Sequence, residues 1–281
     1  MKQKRYLVTG ANGYIGKHVV DELLKLGYGV VACDINLTTV APEAEKLSVD
    51  IADSSINVFE LAGKPDGMIH LAWRNGFKHN ADTHLRDLAI HAEFVERMIN
   101  AGLKSLTVMG SMHEVGYFEG AIRPDSPTNP QSLYAIAKNS LRQAIDVLAK
   151  GKDVSIKWLR GFYIYGDDEK SNSVLGKILL ADREGKETFP FTSGKNLYDF
   201  IHVEQLAEQI VAAAVQNKYT GIINCCTGEP ISLGNMAEKF IKDNKLSIRL
   251  DYGAFPDRTY DSPGVWGDAT LINQILAERK V

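Results

Sequence analysis

The sequence predicts an α/β protein: a doubly wound parallel sheet with a smaller domain interleaved toward its C-terminus. Three features carry the prediction. Short apolar runs alternate with segments of helical periodicity up to Gly166. A glycine-rich turn stands between the first such run and the first helical segment. After Gly166 the rhythm loosens, and Pro256, Pro263 and several glycines mark the tail.

Tyr6 to Thr9 reads as the first strand, an apolar run that stops at Gly10. Ile15 to Leu26 is an amphipathic helix ended by Gly27, and Val30 to Cys33 is the second strand. The runs Met68 to Ala72 and Leu106 to Met109 continue the strands, and between them Thr83 to Ala101 has helical spacing and ends at Gly102. Ser132 to Lys150 is a further helix, stopped by Gly151, and Val154 to Leu159 a further strand. Alternation of this kind implies crossover helices on both faces of a parallel sheet. Beyond Gly166, Val174 to Arg183, Glu204 to Gln216 and Leu233 to Asn244 read as helices. Asp199 to Val203 and Ile222 to Cys225 read as extended. The expected division puts residues 1–166 and 196–224 in the sheet domain and 167–195 and 225–281 in the cap.

Composition narrows the function. The 281 residues suit one large α/β unit with a modest addition. Hydrophobic residues make up 44% and charged residues 24%, ordinary for a soluble globular protein. A net charge of -3 offers no basic field for nucleic acid. The three cysteines, Cys33, Cys225 and Cys226, suggest neither a disulfide framework nor a metal site. The basic start, Met1 to Arg5, leads into an apolar stretch too short for a signal peptide, and no run reaches the ~18 residues of a membrane helix. A cytoplasmic protein without metal, membrane or nucleic-acid partner is expected.

The turn Thr9-Gly10-Ala11-Asn12-Gly13-Tyr14-Ile15-Gly16 has the order of a dinucleotide-binding loop: strand, turn, helix. Gly10 permits the tight turn, Gly13 lets backbone approach a pyrophosphate, and Gly16 lets the helix pack on the strand. The helix N-terminus then presents free N–H groups to phosphate. Asp34, closing the second strand, is placed to hold ribose hydroxyls and repel a 2′-phosphate; an ordinary turn with a solvated Asp is the bland alternative. The cofactor expected is NAD, with NADP as the second possibility.

Tyr134 and Lys138 lie four residues apart, on one face of the helix from Ser132. A phenol titrates near ~10, and a neighbouring ammonium stabilises the phenolate enough to make it an acid or base near neutrality. Taken alone, this spacing also describes a half-buried Tyr and a surface Lys.

With these motifs the chain resembles the extended short-chain dehydrogenase/reductase family, the group of NAD-dependent nucleotide-sugar epimerases, dehydratases and 4-ketoreductases. The resemblance also rests on Asp50-Ile51-Ala52-Asp53, His70-Leu71-Ala72, Gly110-Ser111, Arg160 to Gly166, Asp199-Phe200-Ile201-His202-Val203, Asn224 and Thr227-Gly228. It implies a Rossmann domain and a cap that binds substrate. Its cofactor set maps onto Gly10, Asn12, Gly13, Tyr14, Ile15, Gly16, Asp34, Asp50, Ile51, Leu71, Ala72, Tyr134 and Lys138. Its catalytic set maps onto Ser111, Tyr134 and Lys138. Aligning on Val115 instead would put Met112 in the serine's place. A homodimer through two helices per subunit is usual in the group.

The chain departs from the family at its substrate end. Met112 and His113 stand where dehydratases carry an Asp-Glu pair, which disfavours dehydration. His113 is an auxiliary acid or a locally satisfied loop residue, and Glu114 reads as solvated. Tyr163 replaces a substrate-contacting Asn, and Tyr198 a diphosphate-gripping Arg. Arg258 is the candidate to hold the diphosphate instead. Trp73, with Arg74, Asn75 and His79, follows a strand end where substrate clefts form, or simply packs the loop.

The resulting expectation is an oxidoreductase moving a hydride at C4 of a nucleotide-activated sugar: a reductase of a nucleotide 4-keto-6-deoxyhexose. An NAD-dependent 4-epimerase is the alternative. A non-enzymatic dinucleotide sensor is the remote one, and it has no need of Tyr134 and Lys138. Asp34, with no basic residue in Cys33-Asp34-Ile35-Asn36, makes NAD(H) the tighter ligand. Fluorescence titration of both reduced cofactors should show this order, and tighter NADPH binding would contradict it.

Overall fold

Alternate residues of a strand face opposite sides of its sheet, and from Tyr6 to Val8 both sides are apolar. Such a strand needs cover on both faces. The computed structural model, which describes residues 3–166, 173–257 and 261–279, provides it. The chain begins with β1 (Arg5–Thr9), α1 (Gly16–Lys25), β2 (Gly29–Asp34), β3 (Glu45–Ser48), α2 (Val58–Leu61), β4 (Gly67–His70), α3 (Thr83–Asn100) and β5 (Ser105–Ser111). A 3-10 turn at Met112–Glu114 precedes β6 (Gly120–Ile122), α4 (Leu133–Leu148), β7 (Ser155–Gly161) and β8 (Tyr163–Tyr165). Then come α5 (Val174–Arg183), β9 (Thr188–Pro190), β10 (Leu197–Tyr198), β11 (Phe200–His202), α6 (Val203–Val215) and β12 (Gly221–Cys225). The last described elements are β13 (Ile231–Ser232), α7 (Leu233–Asp243), β14 (Arg249–Asp251), β15 (Gly264–Gly267) and α8 (Thr270–Arg279).

One seven-stranded sheet runs in the order β12-β7-β5-β4-β1-β2-β3, and every pairing in it is parallel. From β1 the chain winds outward through β2 and β3, then in the opposite direction through β4, β5, β7 and β12. The reversal falls between β1 and β4, where the loops leaving the strands diverge and open a crevice. Val8 packs on one face with Val20 and Leu23 of α1, Leu206 of α6 and Ile272 of α8. Leu7 packs on the other with Phe94 and Val95 of α3 and Leu141 of α4.

Outside the sheet, Leu175 and Ile178 of α5 close with Met236 and Phe240 of α7 over a separate small core. The strand pair β9/β14 lies beside this core, while a four-stranded sheet, β13-β10-β15-β6, and the pair β8/β11 lie between this cap and the main body. The buried carboxylate of Asp199 accepts backbone N–H bonds from Thr227 (2.9 Å), Gly228 (2.9 Å) and Gly267 (3.1 Å), tying three segments together where cap meets sheet.

Several short elements go beyond the sequence reading, and two of the departures have a clear physical reason. Strand β3 was not anticipated, because Glu45, Lys46 and Ser48 are exposed on the sheet's edge, where polar residues are tolerated. Helix α8, expected within the cap, packs on α6 beside β12 through Ile272 and Ile275, and Arg279 pairs with Glu22 of α1 at 2.7 Å. Its apolar stripe finds cover on the sheet's helix layer. Among the described residues no helix is long and apolar enough to cross a membrane.

The start of α1 depends on a missing side chain. A Cβ at Gly16 would lie 2.0 Å from the carbonyl oxygen of Gly10. Gly16→Ala is therefore expected to cost about 1–3 kcal/mol of stability by overpacking. Denaturant titration checks this, and an unchanged midpoint would show that the loop can move away.

Candidate active site

The C-terminal ends of β1, β2, β4 and β5 open into one cleft of about 1980 Å³. Its first wall is the loop after β1, through Gly10, Gly13, Tyr14, Ile15 and Gly16. Gly10 has φ +69°, and a Cβ there would sit 2.6 Å from the Ala72 nitrogen, so the loop lies directly on the chain leaving β4. Asn12 is the exception among the expected contacts. It does not line the cleft; its side chain accepts bonds from the Thr39 N–H (2.8 Å) and hydroxyl (2.7 Å), which hold the loop. Its N–H donates to Asp34 Oδ2 at 3.1 Å, and the Ile35 N–H donates to Oδ1 at 2.8 Å. Asp34, Asp50, Ile51, Leu71 and Ala72 continue the wall.

These groups fit a dinucleotide. The backbone of Gly10 and Gly13 lines the cleft without side chains, α1 begins at the cleft with Gly16, and a carboxylate stands at the end of β2.

The cleft deepens at Ser111, Tyr134 and Lys138. Ser111 ends β5 and caps the 3-10 turn: its hydroxyl accepts the His113 N–H at 3.3 Å, and its own N–H donates to Glu114 Oε1 at 2.7 Å. The hydroxyl shares the cleft with the Tyr134 phenol and favours its ionised form. Met112 packs into the main core, and Ser111 rather than Met112 lines the cleft.

Ser132 caps α4 by accepting the Ala135 N–H at 3.2 Å, and the Tyr134 N–H donates to the His79 carbonyl at 2.8 Å. The loop after β4 thus holds the helix start that carries the phenol. One turn on, Lys138 Nζ donates to the Met109 carbonyl at 2.9 Å and lies 3.9 Å from the centre of the Trp73 ring.

Burial, aided by the Glu114 charge, pushes the Tyr134 phenol up to about 12, and the Ser111 hydroxyl only partly opposes this. Burial pushes Lys138 down to about 7, so its own charge is weakened where the phenol would use it.

Glu114 is buried rather than solvated. Its carboxylate accepts from Trp158 Nε1 (2.9 and 3.0 Å) and Arg160 Nε (3.3 Å) as well as from the Ser111 N–H. Burial raises its pKa and the Arg160 guanidinium opposes that. Gly110 makes the arrangement possible, since a Cβ there would lie 2.1 Å from Trp158 Nε1.

A wall of imidazoles surrounds the centre. His79 stacks on Tyr134 at 5.4 Å, and His113 meets His79 edge-on at 4.5 Å. Burial lowers His79, and lowers His113 to about 4, so both rings are neutral near pH 7. On α3, His84 and His91 flank Asp87, which pairs with Arg74. Sequence reasoning passed over His84 and His91; their spacing with Asp87 along one helical face was the available signal. Among the described residues no His, Cys, Asp or Glu group is arranged to hold a metal ion.

At the substrate end Tyr163 packs on Tyr198 (4.5 Å) and Phe200 (5.7 Å), and burial raises its phenol. Trp73, His113 and Tyr163 all line the cleft. Arg258 lies outside the described residues.

Both Glu114 and Arg160 side chains are 0% exposed, so removing one strands the other's charge. Glu114→Ala should lower stability by about 3–5 kcal/mol in denaturant titration. A loss below about 1 kcal/mol would mean that Arg160 is satisfied elsewhere.

Comparison with known proteins agrees with this architecture. Residues 6–226 match the family described as NAD dependent epimerase/dehydratase. The chain is 43% identical over 268 residues to dTDP-6-deoxy-L-talose 4-dehydrogenase (NAD(+)) of Aggregatibacter actinomycetemcomitans, spanning 93% of this chain and 98% of the other. Solved structures share the fold at lower identity. UDP-glucose 4-epimerase of Thermotoga maritima, with UDP-glucose, superposes with a TM-score of 0.82 at 21% identity, covering 96% of this chain and 91% of that one. The Thermus thermophilus UDP-glucose 4-epimerase complex with NAD has a TM-score of 0.79 at 20% identity, covering 98% and 93%. The chain belongs to the NAD dependent epimerase/dehydratase family.

Proposed function

We propose that the protein is an NAD-dependent oxidoreductase acting at C4 of a nucleotide-activated 6-deoxyhexose, interconverting the 4-keto and 4-hydroxy sugars. The observation that carries this is the convergence of the Ser111 hydroxyl, the Tyr134 phenol and, one helical turn on, Lys138 in the same cleft as the glycine loop. The 43% identity to a dTDP-6-deoxy-L-talose 4-dehydrogenase supports the sugar class.

Gly10, Gly13 and the start of α1 would hold the pyrophosphate of NAD, Asp34 a ribose, and Asp50 and Ile51 the adenine. When bound, NAD supplies hydride transfer at C4. In the reducing direction Tyr134 donates its phenolic proton to the C4 oxygen while Ser111 donates a hydrogen bond to that oxygen. The Lys138 ammonium stabilises the phenolate that remains. A phenol near 12 keeps its proton at neutral pH, which is the state that reduction of a ketone requires. In the oxidising direction the phenolate takes the proton back from the 4-hydroxyl. The rings of Tyr163, Tyr198 and Phe200 narrow the sugar end of the cleft, which favours holding one face of the ring.

The proposal extends to organisation. The sheet body serves the cofactor, and the cap around α5 and α7 serves the sugar nucleotide. Ala92 of α3 and Val147 of α4 line a shallow groove that supports a homodimer across these helices. Three buried free cysteines support a reducing, cytoplasmic location.

Stoichiometry tests the reading. With a nucleotide 4-keto-6-deoxyhexose and NADH, one reduced cofactor should be consumed per sugar, and Tyr134→Phe should cut turnover by ~10²–10⁴-fold. Inversion of a 4-hydroxy nucleotide hexose with catalytic NAD and no net consumption would instead identify an epimerase.

A further inference from the structure

Trp73 leaves β4 directly after Ala72 and lines the cleft, yet the contacts around its ring are with protein groups that serve the centre. Lys138 Nζ stands 3.9 Å from the indole centroid. The indole N–H donates to His84 Nδ1 at 3.1 Å. His91 stacks on the ring at 4.5 Å with an interplanar angle of 18°, and the Tyr134 ring meets it edge-on at 6.2 Å. His91 is held in turn by His70 at 3.0 Å, and His70 by the Thr9 hydroxyl at 2.7 Å. A chain of polar contacts thus runs from β1 through β4 and α3 to fix the plane of one indole.

We propose that Trp73 is a positioning residue that acts through Lys138: its π face holds the ammonium charged and aimed at the reaction centre. The electrostatic surroundings of Lys138 show why such a face matters. From the turn after β5 it senses the Glu114 carboxylate, whose charge Arg160 of β7 already shares. From β4 and α3 it faces His70 and His91, both pushed down by burial, His91 to about 3. On its own helix it has Tyr134 one turn before. The two imidazoles are neutral at working pH and neither repel nor attract the ammonium. Burial lowers Lys138 to about 7, so its charged and neutral forms are nearly balanced. An indole face favours the charged form alone. In a desolvated site that preference is worth about one pKa unit.

The inference concerns how Lys138 keeps its charge, and its kinetic consequence rests on the function proposed above. The test separates the two. In protein free of cofactor, labelled at lysine Nζ, the Lys138 ammonium is titrated by NMR, with Lys138→Gln identifying its resonance. Trp73→Leu and Trp73→Met should lower its midpoint by about one pH unit, and Trp73→Phe, which keeps an aromatic face, should restore at least half of that. The two aliphatic variants guard against one of them failing to fold, which the melting temperature reports. In the sugar-reduction assay the pH at which turnover falls on the alkaline side should move down in the same order. An unchanged Lys138 midpoint in a folded aliphatic variant, or a loss in Trp73→Phe equal to that in Trp73→Leu, overturns the proposal. A shifted midpoint with no turnover on any nucleotide sugar supports the role of Trp73 and overturns the assigned reaction instead.

Discussion

A carboxylate shut away from water keeps its charge only when other groups replace the solvent. Glu114 meets that condition through donors from three places: the Ser111 N–H beside it, and Trp158 and Arg160 across the sheet on β7. Each bond places something else. The first sets the capping turn that holds the Ser111 hydroxyl in the cleft with the phenol. The others lock β7 against β5 at the level where Gly110 leaves room for the indole. Arg160 also reaches the carbonyls of Arg123 and Pro124, fastening the chain that leads from β6 toward α4. The same negative charge acts on both Tyr134 and Lys138. Serine, tyrosine and lysine therefore share one electrostatic anchor that touches no substrate.

The sheet determines where that anchor is useful. Because the winding reverses between β1 and β4, the loops after these strands separate, and the glycine turn and the loop from Ala72 become the two lips of one cleft. Gly10 lies against the backbone of Ala72, so the lips touch at their base and diverge above. The cap has its own core, and Asp199 binds its root by backbone donors from Thr227, Gly228 and Gly267. The sheet body and the cap are thus separately packed units joined by the hydrogen bonds of one buried carboxylate.

What could be read from the sequence follows from this. Gly10, Gly13 and Gly16 were legible because a backbone constraint is written in the identity of the residue itself. The pairing of Tyr134 with Lys138 was legible because helical spacing is local. Glu114 was not: whether a charge is buried depends on a partner such as Arg160, distant in sequence. His84 and His91 carried a periodic signal, but their partners, Trp73 and His70, lie on another element. Strand β3 was hidden by the polar surface that an edge requires. The burial that raises the Tyr134 phenol was hidden for the same reason, since desolvation belongs to the assembled cleft.

The way α4 begins has a consequence for how this site can change. The helix takes its first backbone acceptors from the loop that also forms a lip of the cleft: the His79 carbonyl for the Tyr134 N–H and the Asn80 side chain for the Leu133 N–H. The lip of the cleft and the support of the phenol are one piece of chain. An insertion or exchange in that loop, made to admit a different sugar, would also loosen the cap of the helix and tilt the acid it carries. Under the proposed function, selectivity and rate would be mechanically coupled here. On the same reading, variants that broaden the substrate range would be more readily reached at Tyr163 and Tyr198, whose rings line the cleft on other segments of the chain.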